Sequence, residues 1–275
     1  MGMKEDYQKY RDCNGLLQTV ENPPPPGNSG NGILYTGEMF VNFALLDQVT
    51  DEDRTRWVSI IRSLEVSPGL INRNPPTGPH PDQEAFDDYV GLTTSAYLMG
   101  GACQQICEDI FNQGQKTYWG ISWIYNNVSP QTPLKQPDGS WNWSALLLKS
   151  PAVVSSIYTC SGRVPPFIYR LAWAITIGTA SMRDRRTPTH PSVDSGARIL
   201  SWLLIQALPP KKYPLCEWGA KFWWKRFKQD YPGGINQAFS EYFGPQHPLT
   251  LYSVTNWPKG MEKTQSEFTP GSGLP

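Results

Sequence analysis

Five ionisable side chains crowd into the stretch HPDQEAFDDY: His80, Asp82, Glu84, Asp87 and Asp88, with Tyr89 following. A helix start needs only one or two carboxylates to complement its dipole. The cluster exceeds that need and marks a candidate site lip. The simpler alternative is a solvated loop running into an acidic helix start. A further carboxylate, Glu38, stands beside Met39, Phe40 and Phe43, three residues after Tyr35. Burying an unpaired charge is costly, so Glu38 is expected to be partnered or functional unless it faces solvent on an amphipathic helix. Glycoside cleavage uses two carboxylates, one as acid and one as base or nucleophile. Glu38 with Asp87 or Asp88 could supply them. Polysaccharide elimination needs a Tyr or His base and a cationic or amide group for the substrate carboxylate. Tyr35, His80, Tyr89, Asn72 and Arg73 are candidate parts for that chemistry. The residues alone leave both mechanisms open.

Other chemistry is less marked. His80, Asp82 and Glu84 alternate as ligands on an extended backbone would, but they match no established metal motif, and neither metal nor cofactor is expected. Cys13, Cys103, Cys107, Cys160 and Cys216 are odd in number and irregularly spaced, which argues against a disulfide framework and for buried free thiols. The nucleophile elbow, the phosphate loop, the dinucleotide glycine fingerprint and HExxH are all missing. Arg183, Asp184, Arg185, Arg186 and His190 read as ties between helix ends or as a site for an acidic group. Among the 11 Trp, Trp119 and Trp123 share a face if their segment is helical, and Trp141 lies at the end of a long loop. Such rings could pack on the C–H faces of sugars, although Trp is also a common core residue.

The elements that must position these residues read as helices. Leu34, Met39, Phe43 and Leu46 recur at helical spacing. Thr50 is a good N-cap for a second helix, with Asp51, Glu52 and Asp53 in its first turn and Trp57, Ile60, Ile61 and Leu64 as its buried stripe. Further helices are expected over about 86–99, 102–111, 144–158, 165–182, 192–208, 216–230 and 235–242, with Gly100-Gly101 as a tight joint. Strand signals are scarce. The expected division is a Pro/Gly-rich arm over 1–30, one helical domain over 31–257 and a polar tail over 258–275.

Composition bounds the function. Lys plus Arg equals Asp plus Glu at 24 each, so the basic excess of a dedicated nucleic-acid binder is missing. The dense basic stretch, Lys221 to Lys228, reads as the solvated face of an amphipathic helix, or more sharply as a contact for an anionic polymer or a membrane surface. The longest apolar stretch, Phe167 to Ala180, is too short to span a bilayer, and the charged first residues do not read as a secretory signal. A soluble protein in no identified compartment is expected, with neither nucleic acid nor membrane as a partner. The sequons at Asn127 and Asn142 read as chance matches.

The segment NGILYTGE, with the later HPDQEAFDDY, resembles helical-toroid (α/α) carbohydrate-active enzymes, in which acidic and aromatic residues line the mouth of the ring. The likeness covers residues 30 to 100 and contains no diagnostic motif. The chain is shorter than a complete six-pair toroid, so a partial ring or an irregular bundle is expected, with long loops at one end. The resemblance implies cleavage of a glycosidic linkage in a carbohydrate polymer or oligosaccharide, by a hydrolase or a lyase. Glu38, Asp87, Asp88, His80 and Tyr35 would be catalytic, and Arg73, Tyr89, Trp119, Trp123 and Trp141 would contact substrate. The alternative is a non-catalytic structural or interaction protein of a larger assembly.

Overall fold

A computed structural model describes residues 2–23, 32–45, 49–72, 86–115, 138, 140, 150–184, 204 and 212–252. The protein is mainly α. Among the described residues the order is α1 (Met3–Tyr10), α2 (Gly32–Leu45), α3 (Asp51–Leu64), a two-stranded hairpin of β1 (Glu65–Ser67) and β2 (Leu70–Ile71), α4 (Phe86–Met99), a 3-10 turn (Gly101–Cys103), α5 (Gln104–Gln115), α6 (Ser150–Cys160), α7 (Phe167–Asp184), α8 (Pro214–Asp230), α9 (Ile235–Phe243) and the short α10 (Pro248–Leu251). No helix among them is long and apolar enough to cross a membrane. The helix expected over 192–208 lies outside the described residues apart from Leu204, which is helical and buried.

The helix signals act as their chemistry predicts. The Thr50 hydroxyl accepts the Asp53 N–H at 3.2 Å, and the Asp53 carboxylate accepts the Thr50 N–H at 2.8 Å, closing a reciprocal cap. Trp57, Ile60, Ile61 and Leu64 are the buried stripe of α3, and Trp57 stacks on Phe40 of α2. Helix α3 runs antiparallel to α4. Arg54, near the start of α3, donates to the last carbonyl of α4, Met99, at 2.9 Å. At the other end the Ile71 N–H meets the Tyr89 hydroxyl at 3.3 Å. Gly100 and Gly101 both adopt positive φ, which lets the chain reverse from α4 into α5. The small hairpin is the strand element that the alternation pattern misses. Its strands are too short for a period of two to register, and Pro68-Gly69 supplies its turn.

Residues 2–23, read from the sequence as part of an arm, pack into the common core. Tyr7 meets Phe40 and Phe43 edge-on, with centroids 5.6 and 5.9 Å away. Leu16 and Leu17 are buried, and the Leu17 N–H donates to Thr36 of α2 at 2.8 Å. Asp12 organises the turn between them by accepting the Asn14 and Leu16 N–H groups and the Gln18 amide, each at 2.9 Å. Burial nevertheless holds its pKa above the ordinary carboxylate value, against those hydrogen bonds. The Pro run pulls the sequence reading toward an arm, and the apolar residues around it are too sparse to show a stripe.

His247 locks the end of the described chain onto this N-terminal turn. Its ring stacks on Phe243 with centroids 4.2 Å apart and meets the edge of Tyr10. Nδ1 accepts the Leu249 N–H at 3.2 Å, so the neutral ring donates from Nε2 to the Gln18 carbonyl at 2.9 Å. Burial lowers its pKa from 6.5 to about 4, against the Gln18 hydrogen bond, which raises it. A folded-state pKa below the unfolded value means that the unfolded chain binds the proton more tightly. The contribution is therefore full above pH 6.5 and is lost as pH falls towards 4. Urea denaturation across that window should show stability falling by about 3 kcal/mol from this group. In His247→Asn that part of the slope should vanish, because the amide can cap Leu249 but cannot titrate.

Candidate functional site

Helix α2 is buried on every side from Gly32 to Phe43, the signature of a central helix. Its closest neighbour is α4, and the contact is made through glycines. A Cβ placed on Gly37 would meet the Gly91 carbonyl oxygen at 2.7 Å, and one on Gly91 would meet the Leu34 Cα at 3.1 Å. The two backbones therefore touch directly. A connection of five residues separates α2 from α3, making them antiparallel neighbours. Because α4 is also antiparallel to α3, α2 and α4 run in the same general direction.

Polar side chains flank this crossing. Glu38 follows Gly37, and Asp88 precedes Gly91 by one helical turn. Both are buried, at 4% and 1% exposure, and neither is left without a partner. Asn42, one turn beyond Glu38, is buried as well. Thr36 donates to Gly32 and Ser95 to Gly91, so these hydroxyls are satisfied within their own helices at 2.6 and 2.7 Å. Thr93 lies 3.2 Å from Ser156 of α6 and accepts, through its carbonyl, the Cys107 thiol of α5 at 3.6 Å. Hydroxyl and thiol contacts thus join α4 to α6 and α5 inside an otherwise apolar core.

The sequence-derived residues divide into three groups. Glu38 and Asp88 lie on adjoining helices within one core. Tyr35 and Tyr89 are also buried. The Tyr35 hydroxyl is 3.3 Å from that of Tyr242 in α9, while that of Tyr89 holds the hairpin after α3. Asp87 occupies the second position of α4. Arg73, His80, Trp119, Trp123 and Trp141 lie outside the described residues, as do Asp82, Glu84 and the Arg185–His190 part of the third polar patch. No group of three His, Cys, Asp or Glu suited to a metal ion occurs among the described residues. All five Cys are free thiols and four are buried. Burial pushes Cys103 and Cys216 up to about 12, far from the thiolate that nucleophilic chemistry needs.

Comparison with protein families, curated proteins and solved structures finds no match for this chain.

Nothing in the sequence pattern marks Asn42 or the Thr93–Ser156 contact, and Arg54 stands out only beside the apolar stripe of α3. Hydroxyl and amide residues within helical patterns look like ordinary surface positions until the packing is known. Arg54 had a usable signal, since a cation beside the apolar stripe of α3 must find a carbonyl or carboxylate. It finds Met99 and, at 2.6 Å, Asp51. The crossing gives a quantitative expectation. Gly37→Ala should destabilise the fold by about 2–3 kcal/mol, because its methyl group meets backbone that cannot give way. Gly91→Ala should cost about 1 kcal/mol or less, since the gain in helix propensity offsets a milder contact. Chemical denaturation of the two variants checks the order.

Proposed function

We propose that this chain is a carbohydrate-active enzyme that cleaves a glycosidic linkage, with Glu38 and Asp88 as its carboxylate pair. One observation carries the reading: two carboxylates distant in sequence are both buried beside the backbone contact of α2 and α4. A fold that places two such groups in its core bears their desolvation cost, and acid–base chemistry is a reason to bear it. Hydrolysis is the branch that the pair serves directly. One carboxyl group protonates the glycosidic oxygen as the C–O bond breaks. The other carboxylate either attacks the anomeric carbon or removes a proton from the attacking water. The Tyr35 hydroxyl on α2, 3.3 Å from that of Tyr242, would serve in orienting a sugar hydroxyl. The toroid resemblance of residues 30 to 100 supports the same class.

A second reading, a non-catalytic interaction protein, draws on a different observation. Helices α7 and α8 leave large apolar side chains in solvent, as contact surfaces do.

A panel of neutral and acidic polysaccharides, assayed for new reducing ends, tests the enzymatic reading. Glu38→Gln and Asp88→Asn should each lower turnover by about 10²–10⁴-fold, the range for a positioned acid or base, with little change in melting temperature. An unsaturated, ultraviolet-absorbing product would assign elimination instead of hydrolysis. If no glycan is cleaved, or if both variants retain full turnover, the proposal fails.

A further inference from the structure

Helices α7 and α8 pack side by side and run in the same direction. The Cys216 thiol meets the Arg170 carbonyl at 3.4 Å. Farther along both helices, a Cβ on Gly219 would meet the Ala174 carbonyl at 2.5 Å, and one on Gly178 would meet the Phe222 ring at 3.7 Å. Seen down the pair, Trp173 and Ile177 of α7 and Cys216, Ala220, Trp223 and Phe227 of α8 turn to one side and are buried. Helical spacing then sends Ile168 and Ile175 of α7, and Leu215, Trp218 and Phe222 of α8, to the opposite side. All five are exposed, Ile168 at 62% and Trp218 at 65%. Trp218 and Phe222 stack with centroids 5.7 Å apart, so the outer face carries an aromatic ridge beside an aliphatic strip.

Cations border this ridge. Lys221 and Lys225 are exposed and lie one helical turn from Trp218 and Phe222. Arg226 sits 5.6 Å from the Phe222 ring centre. Lys228 continues the row, and the carboxylates on the helix are Glu217, one turn before Lys221, and the terminal Asp230. A buried side, an exposed apolar shoulder and a flanking row of lysines form the section of a helix that lies in a lipid interface. Trp favours the headgroup level, and lysine stems run along apolar surface while their ammonium groups reach for phosphate.

We infer that the outer face of α7 and α8 docks onto an anionic lipid surface. This is independent of the proposed enzymatic site, and it departs from the sequence expectation that membrane is not a partner. The occupant follows from the chemistry of the face. Ile168, Ile175 and Leu215 present aliphatic surface for acyl chains, which a sugar polymer would not recognise, and the lysines call for negative charge.

Co-sedimentation of the full chain with vesicles tests the inference, using phosphatidylcholine alone and phosphatidylcholine mixed with phosphatidylserine. Binding is expected to the mixed vesicles, to weaken with added salt, and to be marginal on phosphatidylcholine. Trp218→Ser/Phe222→Ser and Lys221→Glu/Lys225→Glu should each weaken it by about tenfold or more, the first by removing apolar surface from the interface and the second by reversing charge beside it. Because both lysines are exposed, the charge-reversal pair should hold its melting temperature, and it tests the face without touching any packed ring. Absence of binding to the mixed vesicles overturns the inference, as does binding that both double variants leave intact. Retention of the chain by an acidic polysaccharide but not by vesicles, or a dimer in light scattering that Trp218→Ser/Phe222→Ser dissociates without any vesicle binding, overturns it in favour of those partners.

Discussion

The backbone contact between α2 and α4 is the constraint on which the centre of the molecule depends. Gly37 and Gly91 remove the side chains that would otherwise hold the two helices apart, and α3 and the N-terminal turn cover α2 beyond that line of contact. Every residue from Gly32 to Phe43 is then buried, polar ones included. Burial of Glu38 and Asp88 thus comes from the elements packed around the crossing, not from any apolar character of their own. An alanine-for-glycine exchange alters where two carboxylates sit as well as how well two helices pack.

A core arranged this way must satisfy its polar groups locally. Thr36, Thr93 and Ser95 each donate to the carbonyl four residues earlier, so a hydroxyl enters the interior at little cost. An ionised carboxylate can only accept, so Glu38 and Asp88 need donors where the hydroxyls can use their own helix carbonyls. Asp12 meets the same requirement within its own turn. It is buried too, but its oxygens are occupied by two backbone N–H groups and an amide within six residues. That geometry builds a turn and leaves little room for a substrate. Asp12 is therefore a structural carboxylate, and burial alone does not identify an active one.

Much of the helical order is visible in the amino-acid sequence, because its signals are local. Thr50 with Asp53, the stripe Trp57–Ile60–Ile61–Leu64, the span 86–99 and the Gly100-Gly101 joint all depend on neighbours within a turn or two. What stays hidden depends on distant partners. The packing of residues 2–23 against α2 rests on Leu17 meeting Thr36 and on His247 meeting Gln18, contacts separated by up to 229 positions. The site was legible only in part for the same reason. Composition and spacing point to Glu38 and to Asp88 separately, but their shared core comes from Gly37 and Gly91, which look like helix-weakening residues when read alone.

The glycine device recurs at α7 and α8 with an opposite outcome, and the comparison shows what decides burial. Gly219 against Ala174 brings these helices as close as Gly37 brings α2 to α4. Yet α2 has α4, α3 and the N-terminal turn around it, whereas the outer side of α7 and α8 retains Ile168, Leu215 and Trp218 in water. Close pairing buries only the line of contact, and a third layer is needed to bury the rest. Where that layer is supplied by the chain itself, polar groups become trapped in the interior. Where it is left to the outside, apolar groups become a surface that gains free energy by being covered. The lysines beside Trp218 and Phe222 limit what can do the covering, since a neutral or cationic partner would leave Lys221 and Lys225 facing no counter-charge as the rings are buried.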